Sequence, residues 1–252
     1  MAALSVIVPT YNEAENITRL VERVHTALAG ADYELIVVDD SVDGTQQVLA
    51  DLARFTPWIH VFHRDGRRGL ASAVADGIAA AQGSVVCVLD ADLQHPPETL
   101  PLLTAALERS GADLAVASRY VPGGRYVTFE AWRRAVSRVA TRAAQILLHR
   151  ARRVADPLSG FFAFRRTAVH GVRLRPIGYK ILLEILVRGN LSRVVEVPYS
   201  FEIRSAGQSK LTPRQHWEYL QHLCLLAGAQ LGNLRSIEVA VLPAPLGSGA
   251  SE

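Results

Sequence analysis

Two aspartates one residue apart follow an apolar run of strand length, Val85 to Leu89. Asp90 and Asp92 lie on the same side if the extended geometry continues, and Gln94 adds a neutral oxygen at the next alternate position. Carboxylates at the exit of a buried strand cost free energy unless something positive meets them. Hard cations such as Mg²⁺ or Mn²⁺ take oxygen ligands and share them with phosphates. A pair of aspartates that only caps a turn is the alternative, and the rest of the chain must decide.

Strand and helix patterns alternate around this run. Such alternation predicts right-handed crossovers and a mostly parallel α/β sheet flanked by helices, whose ligands bind beyond the carboxyl ends of the strands. The predicted strands are 4–9, 34–40, 58–63, 85–89 and 114–118, and the predicted helices are about 12–29, 45–55, 69–81 and 97–109.

Acidic and polar clusters follow three of these strands, at 10–13, at 39–40 and at 90–92. Three clusters at one sheet edge are hard to explain as turn caps, so the metal interpretation leads. The first strand is followed neither by the Gly-x-Gly-x-x-Gly pattern of dinucleotide-binding folds nor by a Walker-type loop. A nucleotide would therefore be held by a metal and side chains, which is the chemistry of a nucleotide-sugar transferase.

Composition is that of a folded α/β domain, with 252 residues, 49% hydrophobic and 20% charged. Arginines concentrate between 125 and 166, which suits phosphate-rich ligands or an anionic membrane surface, with a solvated helix face as the alternative. Cys87 and Cys224 lie in apolar runs and are expected to be buried thiols. The sequence predicts neither a signal peptide nor a membrane-spanning helix.

Seven motifs, in chain order over about 5–226, carry a family resemblance. The first five resemble the inverting glycosyltransferases of the GT-A fold, glycosyltransferase family 2, and the last two are similar to polyprenol and dolichyl phosphate mannose synthases. The motifs are Val8-Pro9-Thr10-Tyr11-Asn12-Glu13, Val37-Val38-Asp39-Asp40, Asp90-Ala91-Asp92-Leu93-Gln94-His95-Pro96, Ser118-Arg119-Tyr120, Asp156-Pro157-Leu158-Ser159-Gly160-Phe161-Phe162, Gly178-Tyr179-Lys180-Ile181-Leu182-Leu183-Glu184 and Ile203-Arg204-Ser205-Ala206-Gly207-Gln208-Ser209-Lys210-Leu211.

The resemblance implies a donor site for the nucleotide sugar. Asp90, Asp92 and Gln94 would bind a divalent metal, Mg²⁺ or Mn²⁺, that bridges the diphosphate, while Arg204 and Lys210 would clamp the diphosphate itself. The residues implied to line the nucleoside pocket are Pro9, Tyr11, Glu13, Val38, Asp40 and Ala91. The loop from Asp39 to Thr45 is one residue shorter than is common in the family, so the base is less certain than the metal.

The acceptor side follows from the chemistry of a lipid phosphate. Such a phosphate is already anionic, so it needs positioning and charge neutralisation rather than a general base. Arg119, Arg133 and Ser137 are the expected phosphate-binding residues, and Asp92 and Arg119 are the expected catalytic residues. Asp156 either acts as a base or only fixes its loop.

The expected reaction is transfer of mannose from GDP-mannose to dolichyl or polyprenyl phosphate with inversion, which gives a β-linked product. A UDP-glucose or other hexose donor is the alternative enzyme, and a non-catalytic nucleotide-binding scaffold is the alternative class. The expected location is peripheral, at the cytoplasmic face of a membrane, with no nucleic-acid partner.

The expected domain covers 1–231, with an acceptor-side amphipathic helix at about 129–150 and a C-terminal helix at about 213–231. The C-terminal helix would lie in the membrane interface, contact a separate membrane subunit, or pack back onto the catalytic domain. Residues 232–252 are expected to be a disordered tail.

Overall fold

The computed structural model describes residues 3–66, 69–127, 131–204, 213–230 and 236–243, without the side chains of residues 131, 133 and 213. Ten strands and seven α-helices are assigned within these ranges. In chain order they are β1 (Leu4–Thr10), α1 (Ala14–Ala27), β2 (Tyr33–Asp39), α2 (Thr45–Phe55), β3 (Ile59–His63), α3 (Leu70–Ala80), β4 (Val85–Val88), α4 (Leu100–Ser110), β5 (Leu114–Ser118), β6 (Arg125–Tyr126), α5 (Ala131–Leu147), β7 (Phe162–Arg165), α6 (Ile181–Arg188), β8 (Arg193–Pro198), β9 (Ser200–Phe201), α7 (Pro213–Ala229) and β10 (Glu238–Val241).

Eight strands form the central sheet in the order β10-β8-β5-β7-β4-β1-β2-β3. All neighbours are parallel except β7, which runs antiparallel to both β4 and β5. The expectation of a mostly parallel α/β sheet is confirmed. The strand order reverses between β1 and β4, because the chain proceeds outward through β2 and β3 and then returns. Ligands of open α/β sheets bind at such a switch point, beyond the carboxyl ends of the strands.

The two faces of the sheet are both covered, which explains why its central strands are almost wholly apolar. Along β4, Val86 and Val88 face the cluster that includes α3, α6 and α7, while Cys87 faces the cluster that includes α1 and α4. All seven residues of β1 are buried. The strands that deliver the candidate site are thus fixed by packing on both sides.

The C-terminal segment corrects one expectation. Residues 238–241, predicted to belong to a disordered tail, form β10, which pairs in parallel with the outer edge of β8. Ile237 is buried just before this strand. A strand of four residues depends on its neighbour for stability, and nothing in the local sequence reveals that neighbour.

Helix α7 packs back onto the α/β domain through one face and exposes the other. The Tyr219 hydroxyl donates to the Ala140 carbonyl of α5 at 2.7 Å, and Leu223 and Leu226 are buried. Cys224 is exposed, so the expectation of a buried thiol is wrong there, whereas Cys87 is buried as expected. None of the helices in the described part of the chain has the length and apolarity needed to cross a bilayer.

Candidate active site

The loop after β4 presents the two aspartates at the switch point. Leu93, between Asp92 and Gln94, has φ 62°, in the left-handed region that non-glycine residues rarely adopt. Its side chain is fully buried, which holds the backbone in that conformation. The turn lets the backbone N–H of Gln94 donate to Asp92 Oδ1 at 3.1 Å. The loop is therefore specified by packing rather than by glycine.

Asp90 rests against an imidazole that is itself fixed by aromatic rings. His95 Nε2 lies 3.3 Å from Asp90 Oδ2, and His95 Nδ1 lies 3.0 Å from the Tyr199 hydroxyl. Phe161 and Phe201 pack around the His95 ring at centroid distances of 5.4 and 5.3 Å. The orientation of the Asp90 carboxylate is thus set by a buried neighbour that does not reach solvent.

A glycine is required beside this carboxylate. A Cβ at Gly160 would lie 2.9 Å from Asp90 Oδ2, which requires one of the two to move, and 3.2 Å from His95 Nε2, which is a tight contact. This explains physically why the motif at 156–162 contains a glycine, although its backbone needs no unusual φ.

The environment treats the two carboxylates differently. Burial opposes ionisation of Asp90, but His95, Lys180 and Arg204 outweigh it and lower the pKa of that carboxyl. Burial and the neighbouring Asp90 charge raise the pKa of Asp92, against the opposing effect of Arg204. Two carboxylates that repel each other in a buried place are stabilised by a cation between them.

Arg204 supplies part of that positive charge. Its Nη2 donates to Asp92 Oδ2 at 2.5 Å, and its Nη1 lies 3.5 Å from Glu13 Oε1. Nη1 is buried and has no hydrogen-bond partner among the described residues. A buried guanidinium N–H that has no hydrogen bond can donate to an incoming anion with little rearrangement.

Gln94 links the diacid loop to the segment that carries Arg204. The side-chain nitrogen of Gln94, Nε2, donates to the backbone carbonyl of Glu202 at 3.3 Å. The backbone N–H of Glu202 donates to the backbone carbonyl of Gln94 at 2.9 Å. The side-chain oxygen of Gln94 is the atom that a cation would take.

The donor set fits a metal that shares its ligands with a phosphate. Within the ranges that the structure describes, no three His, Cys, Asp or Glu side chains gather around one point. Mg²⁺ is commonly held by one or two carboxylates together with substrate phosphates, so Asp90 and Asp92 suffice for that pattern.

The expected nucleoside-pocket residues gather at the ends of β1 and β2. Pro9 and Val38 are register partners, and both are buried. The Val38 side chain lies in the core, so only its backbone can face a nucleoside. Ala91 is likewise buried, while Tyr11 is partly exposed.

Asp40 is held by an arginine that the motifs did not indicate. Arg64 Nε and Nη2 donate to the two Asp40 carboxylate oxygens, each at 2.7 Å, and Arg64 Nη1 donates to Asp76 at 2.9 Å. Asp40 directly follows β2 and Arg64 directly follows β3. Because these strands pair in parallel, their position at neighbouring strand ends was the sequence signal for this contact.

The turn after β1 is tied to the shortened loop at 39–45. Asn12 has φ 54°, its amide donates to Ser41 Oγ at 2.7 Å, and the Glu13 amide donates to Thr45 Oγ1 at 2.9 Å. The two edges of the expected nucleoside pocket are therefore fixed to each other.

A second cationic centre forms around Arg119, at the end of β5. Arg119 Nε and Nη2 donate to the two Asp156 oxygens at 2.7 and 2.8 Å, and the Arg119 amide donates to Asp156 Oδ2 at 3.1 Å. Asp156 is fully buried. Of the two roles considered for Asp156, this geometry favours fixing Arg119 over acting as a base.

Ser137 reaches the same centre through two tyrosines. The Tyr120 hydroxyl lies 2.9 Å from the Tyr126 hydroxyl and 3.0 Å from Ser137 Oγ. The Arg119 guanidinium carbon lies 5.6 and 5.2 Å from the centroids of the two tyrosine rings. Arg119 and Ser137 are thus brought together, whereas the side chain of Arg133 and the whole of Lys210 lie outside the described residues.

The segment 156–160 connects the two centres. Asp156 at one end holds Arg119, and Gly160 at the other end packs against Asp90. Lys180 Nζ donates to the Leu158 carbonyl at 2.8 Å from the start of α6. Lys180 lies within the motif at 178–184, but local sequence assigns it no role, because this contact joins residues 22 positions apart.

The switch point of this α/β sheet thus holds a pair of aspartates, an arginine bonded to one of them, and a second arginine centre. This combination is typical of nucleotide-sugar transferases. Residues 5–172 match the family described as "Glycosyl transferase family 2". The chain belongs to this family.

Curated relatives agree with this assignment. The chain is 47% identical over 221 residues to "Dolichol-phosphate mannosyltransferase" of Pyrococcus furiosus, an alignment that covers 87% of the chain and 62% of that relative. It is 37% identical over 232 residues to the protein of the same name in Saccharomyces cerevisiae, covering 87% and 85%. It is 39% identical over 218 residues to "Polyprenol monophosphomannose synthase" of Mycolicibacterium smegmatis, covering 82% and 80%. The chain thus spans less than two thirds of the Pyrococcus relative.

Solved structures confirm the GT-A fold. Glucosyl-3-phosphoglycerate synthase from Mycobacterium tuberculosis in complex with Mn²⁺, UDP and its product superposes with a TM-score of 0.67 at 21% identity, covering 90% of this chain and 80% of that chain. The same enzyme with Mg²⁺ and UDP gives a TM-score of 0.66 at 21% identity, covering 90% and 79%. At this identity the likeness establishes the fold, and these neighbours hold a divalent metal.

Proposed function

We propose that this chain transfers mannose from GDP-mannose to a dolichyl or polyprenyl phosphate, with inversion at the anomeric carbon. One observation carries the proposal: segment 156–160 joins a donor-side centre at Asp90 to a second cationic centre at Arg119. A centre that would hold a metal cation, next to an arginine centre, fits a reaction in which two phosphate-bearing substrates meet. The names of the relatives supply the sugar and the lipid.

The donor-side residues bind and orient the nucleotide sugar. A divalent cation held by Asp90, Asp92 and Gln94 would supply Lewis-acid stabilisation of the leaving diphosphate. Arg204 would exchange its contact with Asp92 for a diphosphate oxygen, and Lys210 would add a second positive charge from beyond the described residues. Tyr11, Glu13 and Asp40 would surround the nucleoside with hydrogen-bonding groups.

The acceptor-side residues position the lipid phosphate. Arg119 is pre-oriented by Asp156 and by the tyrosine rings, so little side-chain entropy is lost when phosphate binds. Ser137 would donate one hydrogen bond, and Arg133 lies one helical turn before it on α5. A phosphate oxygen then attacks the anomeric carbon as the bond to the diphosphate breaks, with no proton to be removed.

The same helix would place the enzyme on a membrane. On α5, Trp132, Val139 and Ile146 are 61%, 70% and 79% exposed, spaced seven residues apart along one face. Exposed Arg138 and Arg142 lie beside them, and a shallow groove of about 380 Å³ combines both kinds of side chain. An amphipathic basic face of this kind fits the anionic cytoplasmic surface of a bilayer.

Helix α7 also exposes apolar residues. Trp217, Leu220 and Leu225 point away from the buried side of that helix. Lipid is the occupant that we propose, because the acceptor itself is a membrane lipid. A separate membrane subunit that covers the same residues is the alternative partner.

The decisive experiment measures transfer from a panel of radiolabelled nucleotide sugars to a short polyprenyl phosphate. GDP-mannose is expected to react in the presence of Mg²⁺ or Mn²⁺ and to stop reacting with EDTA. The second candidate, a UDP-hexose donor, is favoured by the UDP of the structural neighbours, and faster transfer from UDP-glucose would replace the proposal. Absence of transfer from every donor would favour a nucleotide-binding scaffold.

Membrane binding is tested separately by sedimentation with vesicles. The protein is expected to bind vesicles that contain anionic lipid and to be released by salt. The variant Val139→Asp is expected to weaken binding at least about tenfold, since it places a charge at the centre of the apolar face. Unchanged binding of that variant would remove α5 from the interface.

A further inference from the structure

Lys180 lies between the centres at Asp90 and Arg119, and its positive charge has no role in the donor and acceptor sites proposed above. It immediately precedes α6, in which Ile181 to Val187 are all buried, so its backbone is firmly positioned. Its Nζ donates to the Leu158 carbonyl at 2.8 Å and lies 4.7 Å from the centroid of the Tyr179 ring. Its charge interacts with Asp90 on one side and with Arg119 and Asp156 on the other.

The charge of Lys180 is not offset by a carboxylate at contact distance. Arg119 is paired with Asp156, and Arg204 with Asp92. Lys180 instead hydrogen-bonds a neutral carbonyl and forms no ion pair with any residue that the structure describes. A partly buried ammonium without a counter-ion is costly unless an anion binds there. Burial and Arg119 lower its pKa to about 8, consistent with a place where positive charge is concentrated.

The composition points to the same residue. Of the 27 basic residues of the chain, only Lys180 and Lys210 are lysines, and all the others are arginines. In a chain that otherwise uses arginine, a lysine indicates a place that suits a compact point charge better than a planar fork. Lys210 belongs to the motif expected to clamp the diphosphate, so both lysines fall in segments associated with phosphate.

We infer that Lys180 is a catalytic residue whose ammonium contacts the lipid phosphate during attack and neutralises charge between that phosphate and the donor diphosphate. This inference rests on the proposed function. The phosphate oxygen forms its bond with the anomeric carbon while the bond to the diphosphate breaks, and Lys180 keeps its proton throughout. The Leu158 hydrogen bond uses one donor of the ammonium and leaves two for phosphate oxygens.

The alternative is a structural role, in which Lys180 only fastens segment 156–160 through Leu158. The two roles differ in what a neutral side chain does. Lys180→Met removes the charge and the hydrogen bond, Lys180→Gln keeps a hydrogen-bond donor without charge, and Lys180→Arg keeps the charge with a different shape.

The experiment compares these variants by turnover, by GDP affinity and by thermal unfolding. Wild-type protein in the donor panel tests the proposed function first, so its failure is recognised before any variant is made. Lys180→Met and Lys180→Gln are expected to lose about 100-fold in turnover, with GDP affinity within about threefold of wild type. Lys180→Arg is expected to retain at least about tenfold more turnover than either.

Three outcomes would overturn the inference. The first is turnover of Lys180→Gln within about threefold of wild type, which would show that the hydrogen bond alone, without the charge, is sufficient. The second is a parallel loss of turnover, GDP affinity and melting temperature, which would indicate a structural role. The third requires two observations together: Lys180→Arg is as slow as Lys180→Met, and ethylammonium added to Lys180→Ala does not restore turnover. Recovery of turnover supports a compact cation, and no recovery rejects it.

Discussion

Arg204 Nη2 lies 2.5 Å from Asp92 Oδ2, so the arginine expected to clamp the donor already binds a carboxylate expected to hold the metal. The second nitrogen of the same guanidinium lies 3.5 Å from Glu13. A metal cation bound as proposed would compete with Arg204 for Asp92. On the proposed mechanism, binding of the metal and the nucleotide would therefore move Arg204 from the carboxylate to a phosphate.

This competition predicts opposite effects of one substitution on two ligands. In Arg204→Met, binding of GDP together with Mn²⁺ is expected to weaken about 10- to 100-fold, because a charge-assisted hydrogen bond is lost. Binding of Mn²⁺ alone is expected to be equal or tighter, because Asp92 is released. Calorimetric titration with Mn²⁺, with and without GDP, measures both. Weaker binding of Mn²⁺ alone would show that Arg204 does not compete for that oxygen.

Asp92→Ala is expected to abolish metal-dependent transfer, with turnover at least about 100-fold lower, while the fold remains intact. Burial and the Asp90 charge raise the pKa of Asp92, so the ionised Asp92 carboxylate is unfavourable without metal, and its removal relieves that cost. The melting temperature without metal is therefore expected to stay the same or rise. Asp51→Asn, on the exposed side of α2, is the matched control. Full turnover of Asp92→Ala with Mg²⁺ or Mn²⁺ would contradict the mechanism.

Gly160→Ala tests whether close packing orients the metal carboxylate. The added Cβ would lie 2.9 Å from Asp90 Oδ2, so the carboxylate or segment 156–160 must move. The Mn²⁺ concentration for half-maximal turnover is expected to rise about 10- to 100-fold, as when a partner of a metal ligand is lost. Gly228→Ala is the control, because nothing lies within 4 Å of its added carbon. Equal Mn²⁺ dependence in both variants would refute the packing argument.

Much of this site was predictable because its residues lie where strands end. Asp90 and Asp92 follow β4, and Arg119 follows β5, so the strand pattern alone placed them at one edge. Side-chain direction was harder to predict. Val38 faces the core, and Cys224 faces solvent although it lies in an apolar run.

Contacts between distant segments could not be predicted from local sequence. Arg64 reaches Asp40 across 24 residues, and Lys180 reaches Leu158 across 22. Both contacts depend on the packing of elements that are separated in the chain. The pairing of β10 with β8 has the same origin, because an edge strand is recognised only once its partner is known.

Asp156 is expected to stabilise the fold by compensating Arg119, which is only 10% exposed. In Asp156→Ala the buried guanidinium loses its partner, at a cost of about 3–5 kcal/mol in the free energy of unfolding. The double variant Arg119→Met with Asp156→Ala is expected to recover much of that stability, because no unpaired charge remains buried. Its turnover is expected to stay low, because the acceptor phosphate has lost Arg119. Urea denaturation and transfer assays separate the two effects, and equal stability of the single and double variants would contradict the pairing.

Glu184 is expected to make stability depend on pH by joining α6 to α7. Its carboxylate lies 3.0 Å from His222 Nε2 and 2.8 Å from Arg188 Nε, and it accepts from the Arg175 amide at 3.1 Å. Burial opposes its ionisation, but His222, the Arg175 amide and Arg188 outweigh burial and lower the pKa of Glu184 below its ordinary value of 4.5.

A lowered carboxyl pKa stabilises the fold above pH 4.5, and this stabilisation is lost as the pH falls through the folded-state pKa. Glu184→Gln is therefore expected to reduce the free energy of unfolding by about 1–3 kcal/mol at pH 7, and the difference from wild type should shrink as the pH falls below 4.5. The control Glu238→Gln affects an exposed pair with Arg193 and should change stability by less than about 1 kcal/mol. Urea denaturation between neutral and acidic pH measures both differences. A Glu184→Gln difference that stays constant with pH would show that ionisation of this carboxyl does not join the two helices.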